Sequence, residues 1–118
     1  MIDRSIRPLF PANYFSNETQ IVCNLLSYNG QDNPDVLCIN TVSYALHNSN
    51  LPWNGPIGCV RIGMLNNEFL VNPSRKQLEK SPLNLVLSVG ADQSIRKIYF
   101  TFFFQYKKYN CSYYKSND

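Results

Sequence analysis

The sequence predicts an α+β domain in which one helix packs against a mixed sheet. Two observations carry that prediction. The stretch from Asn33 to about His47 or Asn48 has a helix start, a helix stop and apolar residues around most of its circumference. Short β-prone runs bounded by Gly, Pro and Asn lie on both sides of it. The expected order is helix, strand, helix, hairpin, strand, strand, with a compact βαβ core.

Met1 to Phe10 reads as a short helix. Ile2, Ile6, Leu9 and Phe10 share one side at three- and four-residue spacing. Arg4 and Arg7, three apart, share another. Pro8 and Pro11 limit its length. Glu18 to Tyr28 reads as a strand covered on both faces, because Val22 and Leu26 alternate with Ile21, Cys23 and Leu25. Asn29-Gly30 ends it with turn chemistry.

Asn33 suits a helix N-cap, Pro34 the first helical position, and Asp35 the positive helix end. Val36, Leu37, Ile39, Val42, Tyr44, Ala45 and Leu46 wrap the helix, which predicts a buried one. Pro52 prevents its continuation, and Trp53 to Pro56 form a turn. Ile57 to Leu65 reads as a strand with Val60, Ile62 and Met64 on one face. Gly58 and Gly63 weaken that strand unless a neighbour must approach closely.

Asn66-Asn67 makes a two-residue hairpin to a partner strand at Glu68 to Val71, since Asn tolerates positive φ. Ser74 to Lys80 holds one or two helical turns. Leu83 to Val89 alternates Leu83, Leu85, Leu87 and Val89 with Asn84, Val86 and Ser88. Ile95 to Phe104 is a last strand. Beyond Gln105 no apolar period remains.

At 118 residues, one domain is expected, and a hydrophobic share of 44% suffices for a core. The formal net charge of +3, from 11 basic and 8 acidic residues, permits contact with RNA without arguing for it. Cys23, Cys38 and Cys59 sit in apolar runs, where a thiol acts as a small hydrophobe; Cys111 is the fourth. No CxxC pair exists, and His47 has no Cys or His at metal spacing. The expectation is reduced, buried thiols of an intracellular protein. No apolar stretch approaches the roughly 20 residues that cross a bilayer. The first residues show neither a signal peptide nor an Arg- and Ser-rich presequence.

Three blocks, Ile2 to Pro11 (IDRSIRPLFP), Asn33 to Asn40 (NPDVLCIN) and Leu51 to Gly63 (LPWNGPIGCVRIG), resemble the polyribonucleotide phosphorylase (polyribonucleotide nucleotidyltransferase) family, in particular its animal mitochondrial form. EFLVNPSRKQL and SPLNLVLSVG follow in the family's order and spacing. The resemblance covers Ile2 to Gly90 and implies a partial ribonuclease PH-like domain at 1–90, within the first of the family's two such domains. It implies 3′-5′ degradation of RNA by phosphorolysis, releasing nucleoside diphosphates, in a homotrimeric ring. It also implies inorganic phosphate and a divalent metal, magnesium or manganese, as the parent's cofactors, and a mitochondrial location. Residues 91–118 depart from the family: one strand, then a disordered Tyr/Lys/Asn tail, as a truncated or misread gene model would leave.

Phosphorolysis needs a phosphate cradle, a metal and a general acid. In the family these belong mainly to the second domain, where a Ser-rich loop starts a helix and an Asp, Asp, Lys cluster surrounds a late strand. Here the helix start is Asn33-Pro34-Asp35, and Leu78, Asn84 and Val86 stand where the acids and the lysine would be. No catalytic residue and no metal ligand is therefore expected in this chain. Arg4 and Arg7 are the candidate RNA contacts, since guanidinium forks suit phosphate oxygens; a solvated face with ion pairs to Asp3 is the competing reading.

Other features favour structure over function. Asp32 and Asp35 read as a capping pair, and Trp53 as a turn anchor. Ser43, His47 and Asp35 show no oxyanion arrangement. Arg61 fits an internal ion pair or a subunit surface. Lys107-Lys108 with Tyr106 and Tyr109 reads as a tail before an aromatic-basic strip for single strands. The resemblance thus points to a non-catalytic piece that contributes RNA path and trimer scaffold. The alternatives are a stand-alone RNA-binding or ring-assembly module and a non-functional truncated product.

Overall fold

A computed structural model describes residues 1–14, 18–93 and 95–102. The elements are α1 (Ile2–Ile6), continued by a 3-10 turn (Arg7–Leu9), α2 (Pro34–His47), β1 (Ile57–Leu65), β2 (Glu68–Val71), α3 (Arg75–Glu79), β3 (Leu83–Gly90) and β4 (Ile95–Phe102). The strands form one sheet in the order β2-β1-β3-β4, every pair antiparallel.

Local chemistry accounts for the boundaries. Asn66 and Asn67 take φ of 51° and 63° and turn β1 into β2. Ser74 and Gln77 close a reciprocal capping box on α3. The C-cap of α2 is Asn48. Gly63 is required by a close approach, because a Cβ there would lie 3.0 Å from Pro73 Cγ and 3.3 Å from Ser81 Oγ.

Four expectations are corrected. The α+β class holds, but the sheet is antiparallel rather than mixed, and the described residues contain no βαβ crossover. The reason is the second correction: Glu18 to Tyr28 forms no strand, so among the described residues none precedes α2. Its apolar side chains are exposed, Val22 by 67% and Leu26 by 96%. Third, α2 is buried on one side only. Val36, Ile39, Val42, Ser43 and Leu46 face inward, while Leu37 and Tyr44 are exposed. Fourth, Cys23 is exposed and Cys38 half-buried; among the described residues only Cys59 is a buried thiol. In each case the pattern records a surface that is able to be covered, and the described residues supply a layer on one side only.

The core lies between α1, α2 and one face of the sheet. Ile6, Leu9, Val36, Ile39, Val42, Leu46, Trp53, Ile57, Cys59 and Val86 form it. Trp53 anchors the turn as expected: its Nε1–H donates to the Ile6 carbonyl at 3.1 Å, and the next backbone N–H, of Asn54, donates to Leu9 O at 2.9 Å.

Candidate functional site

The polar side chains of α2 meet the free edge of β1. Because β2 pairs with β1 only from Ile62 onward, the N–H groups of Ile57, Cys59 and Arg61 have no strand on that side among the described residues. Three side chains take the strand's place. Ser43 Oγ accepts from Ile57 N at 2.9 Å. Asn40 accepts from Cys59 N at 2.7 Å and donates back to Cys59 O at 3.0 Å. Asn72 Oδ1 accepts from Arg61 N at 3.0 Å. Asn40 and Ser43 stand one helical turn apart, which matches the two-residue step along the strand. Sequence reasoning missed Asn40 and Asn72. Their signal was weak: a polar residue on the inward side of an apolar helix, and an Asn just past a hairpin.

Beside this edge lies a pocket of about 220 Å³ at the start of α2, lined by Asp32, Asn33, Val36, Asn40, Arg61 and Asn72 among others. Arg61 Nη2 donates to Asp35 Oδ2, so the internal pair is the reading of Arg61 that the fold adopts. Asp35 Oδ1 also accepts from Val36 N at 2.9 Å. Asn33 occupies the N-cap position without a side-chain capping bond. Its Nδ2 is buried without a partner among the described residues, as is Arg61 Nε. Asp32 accepts from Asn29 Nδ2 at 2.8 Å and closes the preceding turn. Asp32 therefore orders the preceding turn, while Asp35 satisfies one free N–H of the first helical turn and pairs with Arg61.

The electrostatics oppose an anion here. Two carboxylates flank the helix start against one guanidinium, whose Nη2 Asp35 engages. Burial, and next the charge of Asp35, push the Cys59 thiol up, while Arg61 pulls it down. On β3, Val86 is buried in the core and Asn84 is half-buried; neither offers a carboxylate or a cation. Leu78 lies on α3 near Gly63. Among the described residues no three side chains converge as metal ligands.

Arg4 and Arg7 are both exposed on the first helical segment and line neither pocket. Arg7 Nε donates to Asp3 Oδ1 at 3.0 Å and to Oδ2 at 3.1 Å. The Arg7 guanidinium holds the Asp3 carboxyl below its ordinary range, chiefly through that hydrogen bond. Ser43, spent on Ile57 N, forms no triad with His47 and Asp35. Cys111, Tyr106, Lys107, Lys108 and Tyr109 lie outside the described residues.

No described helix is long and apolar enough to cross a membrane. A family model described as "3' exoribonuclease family, domain 1" matches residues 1–52, and "3' exoribonuclease family, domain 2" matches residues 55–98. The two meet at the Trp53 turn, so the first holds the α1 and α2 layer and the second most of the sheet. Polyribonucleotide nucleotidyltransferase 2, mitochondrial, of Arabidopsis thaliana is 44% identical over 95 residues, 80% of this chain and 10% of that protein. Polyribonucleotide nucleotidyltransferases of Zymomonas mobilis and Methylacidiphilum infernorum are 46% and 50% identical over 92 residues, 78% of this chain and 12% and 13% of theirs. The chain thus spans about a tenth of the length of these relatives.

Proposed function

Because the chain belongs to the 3′ exoribonuclease family, we propose that it supplies scaffold and RNA path to a homotrimeric, phosphate-dependent 3′-5′ exoribonuclease, without carrying the chemistry itself. The observation that carries this reading is the helix start of α2. Where the family's phosphate cradle would stand, this chain has two carboxylates, Asp32 and Asp35, and an Arg61 whose Nη2 is held by Asp35. The residues present do not fit a divalent metal on β3 either, since Asn84 and Val86 supply no anionic oxygen. Phosphate and a magnesium or manganese ion would then act at other parts of the complete enzyme. The mitochondrial relative supports a mitochondrial location.

Within that role, Arg4 and Arg7 contact RNA phosphates. Their exposure on the first helical segment supports this. A ring-assembly module is the second reading, favoured by the exposed apolar segment at 18–28. The deciding assay offers the purified chain single-stranded RNA with inorganic phosphate and magnesium. No nucleoside diphosphate is expected, and its release would overturn the non-catalytic reading. RNA binding followed by fluorescence anisotropy tests the arginines. Arg4→Ala and Arg7→Ala should each weaken binding and lower the salt slope by about 1, and unchanged slopes would remove both from the RNA path.

A further inference from the structure

The turn between segment 18–28 and α2 is built around one carboxamide. Asn29 Oδ1 accepts from Gln31 N at 2.9 Å and from Asp32 N at 3.1 Å. Asn29 Nδ2 donates to Asp32 Oδ2 at 2.8 Å. The next backbone N–H, of Gly30, donates to no group among the described residues. Gly30 takes φ of 74°, and apart from its chain neighbours nothing lies within 4 Å of the place a Cβ would fill. Asn29, Gly30 and Asp32 are all exposed, so water reaches the whole turn. Its far side is anchored, because Arg75 N donates to Gln31 O at 2.8 Å.

We propose that Asn29-Gly30 is a self-modification site, at which the folded turn converts Asn29 to aspartate or isoaspartate through a succinimide, consuming water and releasing ammonia. Gly30 N gives up its proton to solvent and attacks Asn29 Cγ, closing the ring through Cβ, Cα and the main-chain carbonyl carbon of Asn29. The carbonyl electron pair moves onto Oδ1, where the N–H groups of Gln31 and Asp32 receive the developing negative charge as an oxyanion hole does. Nδ2 takes a proton from solvent, and the positive charge it gains develops beside the Asp32 carboxylate. The bond from Cγ to Nδ2 then breaks and ammonia leaves. Water adds to one of the two ring carbonyls and breaks that carbon's bond to Gly30 N. Opening at Cγ yields aspartate. Opening at the main-chain carbon yields isoaspartate, with the chain running through Cβ. One amide and one water become one carboxylate and one ammonium ion, and nothing is oxidised or reduced. The product sets a second carboxylate against Asp32 where a hydrogen bond now stands, which loosens the turn ahead of α2.

A second Asn-Gly pair in the chain lacks these features. Asn54 N donates to Leu9 O at 2.9 Å, and its carboxamide has no hydrogen-bond partner among the described residues. Gly55 lies against the buried Trp53 ring, so closely that a Cβ would fall 2.1 Å from it. The pair at Asn54 is therefore an internal control.

The test incubates the purified chain at pH 8, once folded and once in urea, and follows both pairs by mass spectrometry. Chymotrypsin cuts after Tyr28 and after Trp53 and releases each pair in its own peptide. In the folded chain Asn29 should react about tenfold or more faster than Asn54, and urea should bring the two rates together by slowing Asn29. Asp32→Asn keeps an acceptor for the turn and removes the charge; it should slow Asn29 and leave Asn54 unchanged. An Asn29 rate no higher in the folded chain than in urea overturns the proposal. A folded Asn54 that keeps pace with Asn29, or an Asn29 rate unchanged by Asp32→Asn, overturns it equally.

Discussion

The two faces of the sheet are built from the same strands and meet opposite fates. The helix-side face carries Ile57, Cys59, Arg61 and Gly63 of β1 with Asn84, Val86 and Ser88 of β3. The opposite face carries Val60, Ile62 and Met64 with Leu85, Leu87 and Val89, and is flanked by Phe69, Val71 and Ile98. The second face is the more apolar, yet it is the less buried: Phe69 is 71% exposed and Val71 68%. Apolar content therefore did not choose the covered face. The first face is covered because α1 and α2 bring polar partners to its polar groups. Ser5 and Ser88 share a buried hydroxyl bond of 3.1 Å, and Asn40, Ser43 and Asp35 answer Cys59, Ile57 and Arg61.

Truncation on the helix side should break this contrast most severely. Trp53→Ala removes the anchor between α1 and the sheet and should cost about 3–5 kcal/mol in urea unfolding; a loss under about 1 kcal/mol would show that the core closes without it. Asn40→Ala comes next. It strands the N–H and C=O of Cys59 and should cost about 1–3 kcal/mol, and a neutral result would mean that water replaces the amide. On the opposite face Phe69→Lys and Val71→Lys should change stability by no more than about 0.5 kcal/mol while reducing binding of an apolar dye. A large loss of stability there would mean that the face is covered in solution.

The smallest effect belongs to the Asp3–Arg7 pair. The folded carboxyl is held below its ordinary range, so its contribution is complete above the unfolded value and disappears as pH falls through the folded one. Asp3→Asn should flatten stability against pH in that acid window alone, and only slightly, because solvent screens the pair. An equal loss at neutral and acid pH would assign the effect to helix capping instead.

Much of this was legible in the chain. The Asn33-Pro34-Asp35 start, the Asn66-Asn67 hairpin, the Trp53 turn and the β3 alternation are decided by neighbours close in sequence, through φ preference, capping and period. The block order that marks the family is likewise a property of the linear chain. Segment 18–28, the direction of the sheet and the buried side of each strand were not legible. They depend on which surfaces meet across long separations, as Ser5 meets Ser88 and Asp35 meets Arg61. Alternation says that two faces differ without saying which one a helix will cover. The same holds for the candidate site: the residues at the α2 start were visible in sequence. That Asn40 is spent on β1 and Arg61 Nη2 on Asp35 follows only from the register of β1 against the helix.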